Sequence, residues 1–162
     1  MDNDLITLAS ELNNTLSDKG LVISTAESCT GGLLSGAITE ISGSSDVFKQ
    51  GFITYSNEAK NQYLEVSNET LNEYGAVSSQ VAEEMATGLI KVSGADIAIA
   101  ITGVAGPGES ENKQAGLVYI GIATKDKTTS HKNNFTGERA DVRNASVNKA
   151  LTIALETAKL LD

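Results

Sequence analysis

The sequence predicts an α/β fold, a three-layer α/β/α sandwich around a mixed β-sheet, on three observations. Amphipathic helical stretches alternate with short apolar strands through the first two-thirds of the chain. Residues 97–101, Ile-Ala-Ile-Ala-Ile, are apolar on both faces, as in a central strand covered by helices on each side. Late in the chain, two β-favouring segments, 117–124 and 128–135, meet across the charged tip Lys125-Asp126-Lys127. The alternation calls for parallel strands and the late pair for an antiparallel hairpin, which together make the sheet mixed.

The elements follow in order. Leu5, Leu8, Leu12 and Leu16, spaced by three and four, predict a helix that ends near Gly20. Residues 21–25 read as a short buried strand. Residues 31–41 read as a helix with Leu33, Leu34, Ala37, Ile38 and Ile41 on its apolar stripe, followed by a loop at 43–46. A strand is expected over 48–55 and a helix over 57–64. Ser78 ahead of Glu83 and Glu84 opens another helix, in the manner of a serine cap. Residues 102–115 are a glycine-rich loop, and 142–161 form the closing helix, with Leu151, Leu155, Ala158 and Leu161 on one face.

At 162 residues, 40 % hydrophobic and 20 % charged, the chain is expected to form one domain, 1–162, with a sizeable core. Twelve Lys and Arg against 21 Asp and Glu leave a net charge of −9, so neither nucleic acid nor an anionic membrane is an expected partner. A single Cys cannot form an internal disulfide, which suits a reducing compartment. The acidic start Met1-Asp2-Asn3-Asp4 lacks a signal-peptide pattern, and the apolar run at 97–101 is far below the ~18 residues of a membrane span, so a cytoplasmic location is expected. Aromatics at 4 %, with no Trp, argue against a base-stacking platform. One His in the whole chain almost excludes a His-based zinc site or a Ser-His-Asp triad, so a general base should be sought elsewhere.

Four segments carry candidate chemistry. Thr25-Ala26-Glu27-Ser28-Cys29-Thr30-Gly31-Gly32 joins a buried strand to a helix, where α/β sheets place ligands and unpaired amides suit a phosphate or an oxyanion. Ser28 there is a candidate nucleophile, although on spacing alone an ordinary N-cap is the commoner role. Cys29 is a rival, but its only possible His partner, His131, lies in a polar hairpin, so a packed, unreactive thiol is expected. In the second segment, 51–60, Tyr55 ends a strand and Lys60 follows in the next helix. If the two strands are neighbours, both side chains reach the Ser28 turn. Lysine serves as a base only if burial or a cationic neighbour lowers its pKa, and on composition alone a solvated lysine is the commoner case.

The third segment, Thr102-Gly103-Val104-Ala105-Gly106-Pro107-Gly108-Glu109-Ser110, has the glycine spacing of a P-loop, but Glu109 stands where that motif needs Lys. A nucleoside-triphosphate loop is thereby rejected. A substrate wall and a plain connecting turn remain equal readings. In the fourth, Arg139 and Arg143 are four apart on one helix face, fit to capture a phosphate or else to pair with Glu138 and Asp141 as weak surface ion pairs.

Taken together, the four segments closely resemble the C-terminal domain family of the competence-damage-inducible protein CinA. The carrying motifs are Ala26-Glu27-Ser28-Cys29-Thr30-Gly31-Gly32, Thr54-Tyr55-Ser56-Asn57-Glu58-Ala59-Lys60, Thr102-Gly103-Val104-Ala105-Gly106-Pro107 and Gly137-Glu138-Arg139-x₃-Arg143, in the family's order and spanning nearly the whole chain. The resemblance implies an α/β/α fold, a homodimer or higher homo-oligomer, and hydrolysis of the carboxamide of nicotinamide mononucleotide to nicotinic acid mononucleotide and ammonia. It implies Ser28 as nucleophile, Lys60 as base and Tyr55 assisting, with no metal and no cofactor. Glu27, Thr30, Gly31, Gly32, Thr102, Gly103, Gly106, Arg139 and Arg143 would form the substrate site, Arg143 being favoured over Arg139 for the 5′-phosphate. The alternative is a non-catalytic module that binds a nucleotide or a pterin-like ligand. One departure stands out: after Pro107 the family pattern continues Gly-Gly and later Lys-Pro-Val-Gly, whereas this chain runs Gly108-Glu109-Ser110-Glu111-Asn112-Lys113-Gln114-Ala115-Gly116.

Overall fold

A computed structural model describes all residues, 1–162. The first helix, α1 (Asn3–Lys19), begins where the Asp2 carboxylate accepts the Leu5 amide at 2.9 Å and ends at Gly20, whose φ of 66° places it in the left-handed region. The amide of Leu21 then bonds back to the Leu16 carbonyl, and the Val22 amide donates to the Asp96 carboxylate. Those two residues are thus spent on the helix exit, and β1 starts two residues later than the sequence predicts, at Ile23–Glu27.

Then follow α2 (Leu33–Thr39), a 3₁₀ turn at 44–46, β2 (Phe48–Ile53), α3 (Asn57–Leu64), α4 (Asn68–Tyr74), α5 (Ser79–Ser93), β3 (Ile97–Gly103), β4 (Leu117–Ala123), β5 (Thr128–Asn134) and α6 (Arg139–Leu160). The α4 helix is absent from the sequence expectation. Only Leu71 of its seven residues is buried, so it carries no apolar stripe to read, and the Ser67 hydroxyl that caps it is a weak signal alone.

The sheet order is β2-β1-β3-β4-β5. The first three strands are parallel, with Ile23 opposite Ile97 and Glu27 opposite Ile101, and β4 and β5 return antiparallel. The mixed α/β sandwich is therefore as expected. On one face lies the larger core, with α1, α2 and α6 packed over Ile97, Ile99 and Ile101; on the other, Ala98 and Ala100 meet the Val81, Met85, Ala86 and Leu89 stripe of α5. The small side chains on the second face let α5 come close. A Cβ at Gly121 of β4 would lie 2.2 Å from the carbonyl oxygen of Ala82, so only glycine fits there. No helix is long and apolar enough to cross a membrane.

Because β1, β2 and β3 run parallel, their carboxyl ends open on the same edge. Residues 28–32, 54–56 and 104–116 leave from those ends, which is where open α/β sheets build binding crevices.

Candidate active site

A cavity of about 360 Å³ opens beyond those three strand ends, with Ser28, Tyr55, Lys60, Val77, Gly103 and Arg139 among its lining residues. The turn that presents Ser28 is held from behind. Glu27, fully buried at the end of β1, accepts hydrogen bonds from the amides of Leu34 and Ser35 at 2.9 and 3.0 Å and from the hydroxyls of Thr30 and Ser35 at 2.7 Å each. It thereby caps α2, whose own N-cap, Gly32, has no side chain to offer. Arg143, from α6, donates to the carbonyls of Cys29 and Thr30, both at 3.1 Å, and the Ser28 amide donates to the Ile101 carbonyl at 3.0 Å. Glu27, Thr30, Gly31, Gly32 and Arg143 thus build the turn rather than line the cavity.

Lys60 reaches the same point from α3. It is 1 % exposed, and its Nζ lies 3.2 Å from Ser28 Oγ while donating to the carbonyls of Thr54 at 3.0 Å and Tyr55 at 3.3 Å. Burial, which penalises the ammonium, pushes its pKa below the usual lysine value, while the Glu111 carboxylate and Cys29 pull the other way. The three contacts suit the three N–H bonds of the ammonium and equally the neutral amine. Two N–H bonds can stay on the two carbonyls, which leaves the lone pair for the Ser28 hydroxyl.

Cys29 is buried, and desolvation pushes its thiol up to about 11, so at neutral pH it is a thiol and not a nucleophile. The phenol of Tyr55 stands 3.4 Å from Arg139, and it is the Tyr55 backbone carbonyl that touches the Ser28–Lys60 pair. Arg139 also donates to the Gly106 carbonyl, which fixes its guanidinium at the cavity rim. Thr102 Oγ1 donates to the Ala76 carbonyl at 2.8 Å, binding the end of β3 to the segment ahead of α5.

Sequence reasoning missed part of this site. Ala76 and Val77 line the cavity, and so does Glu111, whose carboxylate accepts their two amides. The local signal is small, an Asn at a turn position in Ser110-Glu111-Asn112-Lys113; what it docks on lies 34 and 35 residues away in the chain.

A three-layer α/β protein with a serine and a buried lysine in contact beyond its parallel strands is the class that fold and site define. Comparison with known proteins gives the family. The CinA C-terminal domain profile matches residues 5–158, and the chain belongs to that family. It is 51 % identical over 152 residues to a putative competence-damage inducible protein of Caldicellulosiruptor saccharolyticus, covering 93 % of this chain but 37 % of that protein. The chain thus spans little more than a third of that longer relative. It is also 47 % identical over 153 residues to a protein of Enterobacter agglomerans named nicotinamide-nucleotide amidohydrolase PncC, covering 93 % of this chain and 91 % of that one. Among solved structures, the competence/damage inducible protein CihA of Agrobacterium tumefaciens superposes with a TM-score of 0.91 at 43 % identity, over 96 % of this chain and 98 % of the other.

Proposed function

We propose that the chain is an amidohydrolase that cleaves the carboxamide of nicotinamide mononucleotide, with Ser28 as nucleophile and Lys60 as general base. The observation that carries this reading is the 3.2 Å approach of a buried lysine amine to a serine hydroxyl at the cavity wall. Support for the substrate comes from the name of the E. agglomerans relative, which this chain matches over 91 % of its length.

In the proposed reaction the neutral Lys60 amine takes the Ser28 proton as Oγ attacks the carboxamide carbon. The Ser28 amide is committed to Ile101 and the Gly31 amide to Ser28, so the oxyanion falls to the amide of Cys29, the residue of this turn that lines the cavity beside Ser28. Collapse breaks the C–N bond, and the Lys60 ammonium returns the proton to the leaving nitrogen, which departs as ammonia. A water then gives a proton to Lys60 and attacks the acyl carbon, and Lys60 reprotonates Ser28 as the acid is released. Arg143 is occupied with two carbonyls, so the phosphate is assigned to Arg139, where the sequence expectation favoured Arg143.

Ammonia release from nicotinamide mononucleotide tests the reading. Ser28→Ala is expected to lower turnover by about a thousandfold or more with an unchanged melting temperature. Near-normal hydrolysis by that variant removes Ser28 from the mechanism. Thermal stabilisation by the nucleotide without any ammonia, from the wild type, replaces the enzyme by a binding module.

A further inference from the structure

The loop that walls the cavity after β3 is closed by a small hairpin. Ser110 and Lys113 exchange both backbone hydrogen bonds, at 3.0 and 2.8 Å, and the two residues between them, Glu111 and Asn112, have φ of 55° and 61°, as a tight two-residue turn demands. Its tip is anchored. The Glu111 carboxylate accepts the amides of Ala76 at 3.0 Å and Val77 at 3.2 Å, and Lys113 Nζ donates to the carbonyls of Tyr74 and Val77 and lies 3.3 Å from Glu111. The receiving segment is shaped for it. A Cβ at Gly75 would stand 2.5 Å from Glu111 Oε2 and 3.0 Å from Lys113 Nζ, so the missing side chain makes the seat. Partial burial opposes ionisation of Glu111, but the bonds from Val77, Ala76 and Lys113 outweigh it and hold the carboxyl below its usual range.

The charged and titratable groups lining the cavity with Lys60 are Cys29 on the turn after β1, Tyr55 after β2, Glu109 and Glu111 on the loop after β3, and Arg139 at the start of α6. Lys60 feels Glu111 and Cys29, and the latter is an uncharged thiol at working pH. We propose that Glu111 is a positioning residue for the amide hydrolysis: docked on Ala76 and Val77, it holds that wall of the cavity in place and sets a negative charge in the cavity that Lys60 also lines. The proposal rests on the Ser28–Lys60 reading above.

Two variants of the full chain separate its two parts. Glu111→Gln loses the charge and keeps one of the two oxygens that accept the amides; Lys113→Met loosens the hairpin and keeps the carboxylate. The protonation of Lys60 is followed by NMR of its ¹³Cε, assigned by its disappearance in Lys60→Met, beside the pH profile and KM of ammonia release. In Glu111→Gln the Lys60 midpoint and the acid limb of the rate are expected to move together to lower pH, with KM within about twofold. In Lys113→Met the midpoint does not move to lower pH, and KM rises about three- to tenfold as the wall loosens. The inference is overturned if Glu111→Gln leaves the midpoint in place, or if Lys113→Met leaves KM in place or moves the midpoint down as Glu111→Gln does. If the wild type releases no ammonia from the mononucleotide, the amidase reading falls on its own, and the Lys60 titration still decides whether Glu111 acts on it.

Discussion

Glu27 and Glu111 each hold two consecutive backbone amides, one pair behind the Ser28 turn and one pair at the cavity wall. The first is sealed from water and fully satisfied, with four donors on its two oxygens. The second is open to solvent and shares its ion pair with a lysine whose side chain is 26 % exposed. A buried carboxylate with every lone pair engaged has one low-energy arrangement, because any movement strands a charge without partners. An exposed one can exchange its bonds for water at small cost. The difference teaches which wall is fixed: the Ser28 turn is rigid by construction, while the 108–116 loop is held by a clasp that can be released.

The largest effect is expected at Lys60, the side chain that reaches the fixed wall from α3. Lys60→Arg should lower ammonia release by about a thousandfold, since guanidinium stays protonated and cannot act as base. Wild-type rate should rise with pH as Lys60 loses its proton, with its midpoint below the ordinary lysine range. The sign for stability follows from the same shift. The unfolded chain binds the Lys60 proton more readily than the folded one, so burial costs stability below the lysine range and the cost is relieved as pH rises. Lys60→Met loses this cost together with the bonds to the Thr54 and Tyr55 carbonyls, so its melting temperature relative to wild type should fall as pH rises, and a difference that stays constant with pH would show that the Lys60 titration is not linked to folding.

Cys29 probes how closed the Ser28 turn is. With its thiol pushed up to about 11, labelling by iodoacetamide at pH 7.5 should be several-hundredfold slower than that of a free cysteine, roughly the ratio of thiolate fractions. Rapid labelling would mean that the turn opens.

The two glutamates should then separate in chemical denaturation. Glu27→Ala strands two buried amides and two hydroxyls and is expected to cost about 3 kcal/mol or more. Glu111→Ala, on the solvent side, is expected to cost under about 1 kcal/mol. Equal costs would abolish the distinction between a rigid and a releasable wall.

Much of this molecule is legible in its residues. The leucine spacing of α1 and its Gly20 stop, the 57–64 helix and the hairpin of β4 and β5 follow from periodicity and turn chemistry, which act within a few residues. The Ile-Ala alternation of β3 fixes a strand that sends isoleucines to one core and alanines to the other. The meeting of Ser28 and Lys60 follows once β1 and β2 are placed side by side. What folding alone decided is where equivalent residues part company. Arg139 and Arg143 share one helix, yet a single turn along α6 puts one at the cavity rim and the other on the Cys29 and Thr30 carbonyls. Glu27 caps α2 rather than lining the cavity, because the turn carries the α2 amides back onto the end of β1. The Glu111 clasp forms in the glycine-rich loop after β3 and depends on Gly75, more than 30 residues distant. Local composition sets which conformations a segment favours; the partner for a buried or docked charge is chosen by packing across the chain, and no local pattern encodes it.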